Sequence, residues 1–310
     1  MSRRRFEVEE GEAGRRLDKL VAARFPTASR AELSRLFRRG AVRLDGAIGK
    51  KGTLARAGAT VELDEIPPGP DELRPLAQPE IELEVLYEDS AMTAIAKPAG
   101  MPSHPLRAGE RGTAANALVG REPSIARVGR DPREAGLIHR LDRGTSGVLV
   151  AARTQPAWES LRRALSEGRA EKSYLALARG RLDDRGRVAA PLAQRGGRAV
   201  VDPRGLPAET AWEVLARSGD LALVSCTART GRMHQVRAHL AHAGAPIVGD
   251  ATYGGEPAEG AGLFGHFLHA SSISLPHPVT GARLEIRAPL PPDRRAALAW
   301  LGFQPDEVER

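Results

Sequence analysis

Ile138-His139-Arg140-Leu141-Asp142-Arg143-Gly144-Thr145-Ser146-Gly147 runs directly into Val148-Leu149-Val150. A single carboxylate, Asp142, stands between two arginines and a glycine-containing turn. The β-branched apolar run behind it reads as a buried strand. A lone Asp in this setting is either a structural ion-pair partner or a carboxylate held ready for chemistry, and the rest of the chain has to decide which.

On either side, helical and extended periodicities alternate. Ile81 to Tyr87 alternates as a strand, and Ala94-Ile95-Ala96 is a second apolar run ahead of Lys97-Pro98-Ala99-Gly100. Thr154 to Gly168 reads as a helix with Pro156 in its first turn and Leu161 and Leu165 on one face. Glu171 to Ala178, Ala211 to Leu215 and Leu221 to Ala228 return to strand character, and a short helix carrying Gln235, Arg237 and His239 ends near Gly244. This mixture predicts an α+β domain over 81–300 with an extended, mainly antiparallel central sheet.

The preceding residues have a different texture. Over 13–66, Leu17, Leu20, Val21 and Phe25 keep helical spacing, and Ser29-Arg30-Ala31-Glu32 has the form of a capping box opening a second helix. An Asp45-Gly46 turn and the alternation Thr60-Val61-Glu62-Leu63 add a small sheet. Two helices and a small sheet predict a compact α/β module. It would carry Arg30, Arg35, Arg38, Arg39, Lys50 and Lys51 on or near one face, as a phosphate-binding surface. Residues 67–80, with Pro67, Pro68, Pro70, Pro75 and Pro79, read as a semi-rigid linker.

The 310 residues carry a formal net charge of +7, which points to a polyanionic partner. Only five of the 46 basic residues are lysines. Coding bias explains that ratio but not the excess of positive over negative charge. Cys226 is the sole cysteine, so an internal disulfide and a multi-cysteine zinc site are excluded and a reducing cytoplasm is expected. No apolar run approaches the roughly 18 residues of a membrane span, and the start lacks the form of a secretory signal.

Taken together, His139 to Gly147, Lys172 with Tyr174, and Thr230-Gly231-Arg232-Met233-His234-Gln235-Val236-Arg237-Ala238-His239 with Gly249-Asp250 form a recognisable set. Lys97 to Gly100 and Leu268-His269-Ala270 add to it. The chain resembles the RNA pseudouridine synthases that act on large-subunit ribosomal RNA. The front module resembles the alpha-L RNA-binding domain of the small-subunit ribosomal type, notably at Arg16 to Leu20 and Arg39 to Val42.

The resemblance implies a pseudouridine synthase fold and isomerisation of uridine to pseudouridine without cofactor or metal. Asp142 is then the catalytic carboxylate, Arg237 its guanidinium partner and Tyr174 the active-site aromatic. Arg140 helps hold the RNA open once the target nucleotide is extruded. Attack on the base, attack on the sugar and abstraction of a sugar proton all stay open. Large-subunit rRNA is the expected partner and tRNA the second, with the enzyme a cytoplasmic monomer. Gly144 stands where the family more often has a polar or acidic residue, and Met233 where a smaller polar one is common.

Three other readings carry less. His234, His239 and His242 lack the spacing of a zinc site. His139-Arg140-Leu141-Asp142 breaks the order of a kinase catalytic loop. A non-catalytic RNA-binding or ribosome-assembly factor would be expected to have lost one of Asp142, Tyr174 and Arg237, and all three are present.

Overall fold

The computed structural model describes residues 4–26, 28 and 30–304. The chain divides into two compact units, Met1–Arg74 with Arg107–Gly109 and Pro75–Leu106 with Glu110–Arg310.

In the first unit, strand β1 (Arg4–Glu7) precedes helices α1 (Leu17–Arg24) and α2 (Arg30–Arg38), followed by β2 (Val42–Leu44), β3 (Ala47–Ile48), β4 (Thr60–Leu63) and the single-turn helix α3 (Pro70–Leu73). The sheet order is β1-β4-β2-β3, so the module begins ahead of residue 13 with a strand paired to β4. Leu17, Leu20 and Val21 of α1 and Leu33 and Leu36 of α2 share one core with Val42, Val61 and Leu63. Asp45 and Gly46 both have positive φ, which suits the right-handed twist of a two-residue hairpin. Ser29, the expected cap of α2, lies outside the described residues. Within the proline-rich stretch, Leu73 is buried, and Gln78 and Leu76 are tied to Asn116 by hydrogen bonds of 3.1 and 2.8 Å.

The second unit continues with β5 (Val85–Glu88), β6 (Met92–Lys97), α4 (Ala114–Arg121), β7 (Ser146–Ala152), α5 (Gln155–Ser166) and β8 (Glu171–Arg179). Then come β9 (Arg185–Ala189), β10 (Leu192–Arg195), β11 (Arg198–Val201), β12 (Glu209–Ser218), β13 (Leu221–Ala228) and α6 (Gln235–His242). β14 (Leu268–Pro276), β15 (Arg283–Arg287) and α7 (Pro292–Trp300) complete it. The large sheet runs β5-β6-β7-β14-β8-β13-β12-β9, with β15 also on β14, and β10 and β11 form a separate ribbon. The sheet is mainly antiparallel, as expected. The exception is β7 with β14, which run parallel at its centre.

Beyond Ser146, β7 is apolar because both its faces are covered. Val148 and Val150 join Ile138, Trp158 and Leu161 on one side, while Leu149 and Ala151 join Leu118 and Leu137 on the other. Thr154 caps α5 by accepting from Ala157 N at 3.3 Å. The strand expected over Ile81–Tyr87 starts only at Val85. Its one neighbour, β6, ends at Lys97, and Pro98 beyond it has no N–H to extend the ladder.

Candidate active site

Asp142 sits in the turn leading into β7, closed by a hydrogen bond from Thr145 N to Asp142 O at 3.0 Å. The preceding residue is pinned as well: Leu141 N donates to Ser103 Oγ at 2.9 Å, and Ser103 Oγ donates back to Leu141 O at 2.8 Å. The Asp142 side chain keeps 22% of its surface accessible.

Arg237 reaches it from α6. Its Nη1 donates to Asp142 Oδ2 at 2.8 Å, while Nε and Nη2 grip Asp250 at 2.7 and 2.8 Å. Asp250 is 1% exposed, so the planar guanidinium is fixed by a buried bidentate pair and offers its remaining edge to Asp142. Burial opposes the charge on Arg237, but the hydrogen bonds to Asp250 and Asp142 outweigh it and raise the pKa further. The guanidinium also lies over the Tyr253 ring, 5.2 Å from its centroid.

The loop ahead of α6 is held by Gln235. Its Oε1 accepts from Thr230 Oγ1 and Arg232 N at 2.8 and 3.1 Å, and its Nε2 donates to Glu209 O at 2.8 Å. This brings His234, in a left-handed conformation with φ 52°, next to Asp142 and hydrogen-bonds its Nδ1 to Tyr253 Oη at 3.0 Å.

Asp142, Tyr174 and Arg237 line one cleft of about 680 Å³, with Arg140 exposed at its margin. Tyr174 is half-buried on β8. Burial, and then the Asp142 carboxylate, push its phenol above the ordinary range, so it is protonated at neutral pH. Lys172, two residues earlier, donates to Thr230 O at 2.8 Å, and burial with Arg232 nearby brings it down to about 8. His139 accepts from Val150 N at 3.2 Å. Burial, followed by the charges of Lys172 and Arg162, lowers His139 to about 3, which matches a neutral acceptor that shapes the turn.

The basic residues expected on the front module belong to the first unit. Arg30, Arg35, Arg38 and Lys50 are exposed, whereas Arg39 pairs with Glu65 at 3.1 Å and Lys51 donates to Ser34 Oγ at 2.5 Å. Among the described residues, no three His, Cys, Asp or Glu side chains converge as metal ligands. His239 is engaged internally, with Thr210 Oγ1 at 2.9 Å and Ala190 O at 3.0 Å.

Sequence reasoning missed Asp250 as the second carboxylate on Arg237, and it weighed His234 only as a metal ligand. The signal for Asp250 was its place in the Gly249-Asp250 tail. Nothing local marks His234, whose approach to Asp142 depends on a turn 92 residues away.

Comparison with known proteins gives a consistent picture. Residues 92–242 match the RNA pseudouridylate synthase family. An uncharacterised RNA pseudouridine synthase of Chloroflexus aurantiacus is 41% identical over 289 residues, covering 92% of this chain and 90% of the relative. The ribosomal large subunit pseudouridine synthase D of Xanthomonas campestris pv. campestris is 36% identical, covering 97% and 93% respectively. Among solved structures, human RNA pseudouridylate synthase domain containing 1 superposes with a TM-score of 0.54 at 26% identity, covering 73% of this chain and 87% of the human one.

Proposed function

This chain belongs to the RNA pseudouridylate synthase family, and on that premise we propose that it isomerises uridines of large-subunit ribosomal RNA with Asp142, Arg237 and Tyr174 as its catalytic set. The reaction breaks the N1–C1′ bond, turns the uracil and forms C5–C1′, while a proton leaves C5 and one is gained at N1. No oxidant is consumed.

Asp142 is the reacting carboxylate in this reading, working at the base or at the sugar. Arg237 engages Oδ2 and leaves Oδ1 for the nucleotide. A free carboxylate oxygen suits attack on the base, attack on the sugar and removal of a sugar proton alike. Tyr174 supplies a half-buried ring on which an extruded base can stack, and its hydroxyl retains a proton to donate. Arg140 at the margin meets the RNA strand from which that base has left.

The first unit serves as an RNA-binding appendage, with Arg30, Arg35 and Arg38 exposed along α2 and Lys50 exposed beyond it. Arg39 and Lys51 contribute less, because each already has a partner. Among the described residues, no helix is long and apolar enough to cross a membrane. The same reading makes the protein a cytoplasmic monomer that works without metal or cofactor.

The observation that carries the proposal is the Asp142–Arg237–Asp250 chain of hydrogen bonds at the cleft. The test is pseudouridine mapping across host RNA with wild type and Asp142→Asn. Loss of signal at one or a few uridines of the large subunit is expected. Loss in tRNA alone would reassign the substrate. An unchanged map with RNA binding retained would replace the enzyme reading by that of an assembly factor.

A further inference from the structure

Arg294 is the largest fully buried side chain among the described residues, with no accessible surface. A guanidinium removed from water needs strong compensation, which usually comes from a carboxylate. Here its hydrogen bonds run to backbone carbonyls: Nη2 donates to Gly144 O at 2.7 Å, and Nη1 and Nη2 both donate to His266 O at 3.2 Å. Nε has no partner, and the guanidinium lies over the Phe267 ring, 5.2 Å from its centroid. Burial pulls its pKa down to about 10, which still leaves it charged at neutral pH.

The two carbonyls belong to the segments entering the parallel strand pair at the centre of the large sheet, β7 and β14. Ser146 pairs with His269 and Gly147 with Ala270. Side chains reinforce the entry: Ser146 Oγ and His269 Nδ1 are 2.9 Å apart, and Thr145 Oγ1 and His266 Nε2 are 2.8 Å apart. Arg294 adds the next rung, at Gly144, inside the Asp142–Thr145 turn. Gly144 leaves room for this arrangement, because a Cβ there would stand 2.9 Å from His266 Cε1.

We infer that Arg294 is a positioning residue for the reaction: from α7 it clamps the backbone of the Asp142 turn to the entry of β14, while Arg237 fixes the carboxylate itself. The inference rests on Asp142 being the catalytic carboxylate. Ser103 pins the chain at Leu141, ahead of Asp142, and Arg294 holds Gly144 behind it, so the turn is fixed on both sides of the carboxylate that Arg237 grips. A displacement of about 1 Å at a reacting group costs on the order of 100-fold in rate.

The experiment measures single-turnover pseudouridine formation, RNA affinity and melting temperature for wild type, Arg294→Ala and Arg294→Lys. Wild-type turnover and its loss in Asp142→Asn, run alongside, separate a failure of the Asp142 assignment from a failure of the inference. For Arg294→Ala the rate at saturating RNA is expected to fall about 100-fold, with RNA affinity unchanged. Added ethylguanidinium should restore part of that rate. Arg294→Lys, which keeps the charge but cannot span both carbonyls, should turn over at an intermediate rate. A lowered melting temperature with wild-type turnover of the folded protein would overturn the inference, as would a loss confined to RNA affinity. Should Arg294→Ala not fold, Arg294→Lys decides: a wild-type rate overturns the inference, and a reduced rate at unchanged affinity supports it.

Discussion

His234 Nε2 lies 3.7 Å from Oδ1 of Asp142, the carboxylate oxygen that Arg237 leaves free. Burial lowers the pKa of this imidazole, and the opposing influence of Asp142 only partly offsets the loss, so His234 is neutral at pH 7. Protonation would close an ion pair onto the oxygen that the proposed mechanism reserves for the nucleotide. The rate should therefore show an acid limb lying below pH 6.5, the ordinary value for the group. His234→Asn, which tolerates the left-handed backbone, should flatten that limb. The check is a pH–rate profile of both proteins, and an unaltered acid limb in the variant would remove His234 from the mechanism.

Asp250 touches Asp142 only through Arg237, yet its loss should reach the reaction. Asp250→Asn removes the charge from a pair in which Asp250 is 1% exposed and Arg237 is 7% exposed. Breaking such a pair from one side costs about 3 kcal/mol. Urea denaturation should show that loss. Turnover by the folded fraction should fall as well, because Arg237 is no longer gripped at two points.

Gly144 faces the His266 ring so closely that Gly144→Ala must move it. The expected cost is about 1–3 kcal/mol of overpacking, together with a slower reaction. His266→Ala opens the space while leaving the backbone carbonyl that Arg294 uses. A double-mutant cycle should therefore show the second substitution rescuing the first by about 1 kcal/mol or more. Simple additivity would contradict the contact.

Stability should fall on the acid side through His269, which is 1% exposed and brought by burial from 6.5 to about 4. The unfolded chain takes up this proton first. The contribution is complete above pH 6.5 and is lost as pH drops toward 4, on the order of 3 kcal/mol in total. Lys97, also 1% exposed, is lowered by burial to about 7, so stability should rise as pH climbs from 7 toward 10.5. Denaturant titrations across pH, with His269→Gln and Lys97→Met as controls, should each lose the matching slope.

For the first unit, replacing Arg30, Arg35 and Arg38 together with Gln should weaken RNA binding evenly across sequences. It should also reduce the salt slope of log affinity by about 2, at about 0.7 per phosphate contact to a single strand. An unchanged slope would mean that this face of α2 does not meet RNA.

The sequence by itself determined the elements whose signals are local. β7 was readable because a strand covered on both faces carries an unbroken apolar run, here Val148-Leu149-Val150. α5 was readable because Thr154 and Pro156 mark its first turn. The Asp142, Tyr174 and Arg237 set was readable as motifs, each written within a few residues. The strand at 81–84 was over-read, since alternation describes a surface and a strand also needs a neighbour with free hydrogen-bonding groups. Only the tertiary structure decided which distant groups share Arg237, that His234 faces Asp142, and that Arg294 is spent on two carbonyls. Those contacts join residues between 13 and 150 positions apart. Periodicity extends over a turn or two of chain, whereas a buried charge takes whatever partner the packed fold brings to it.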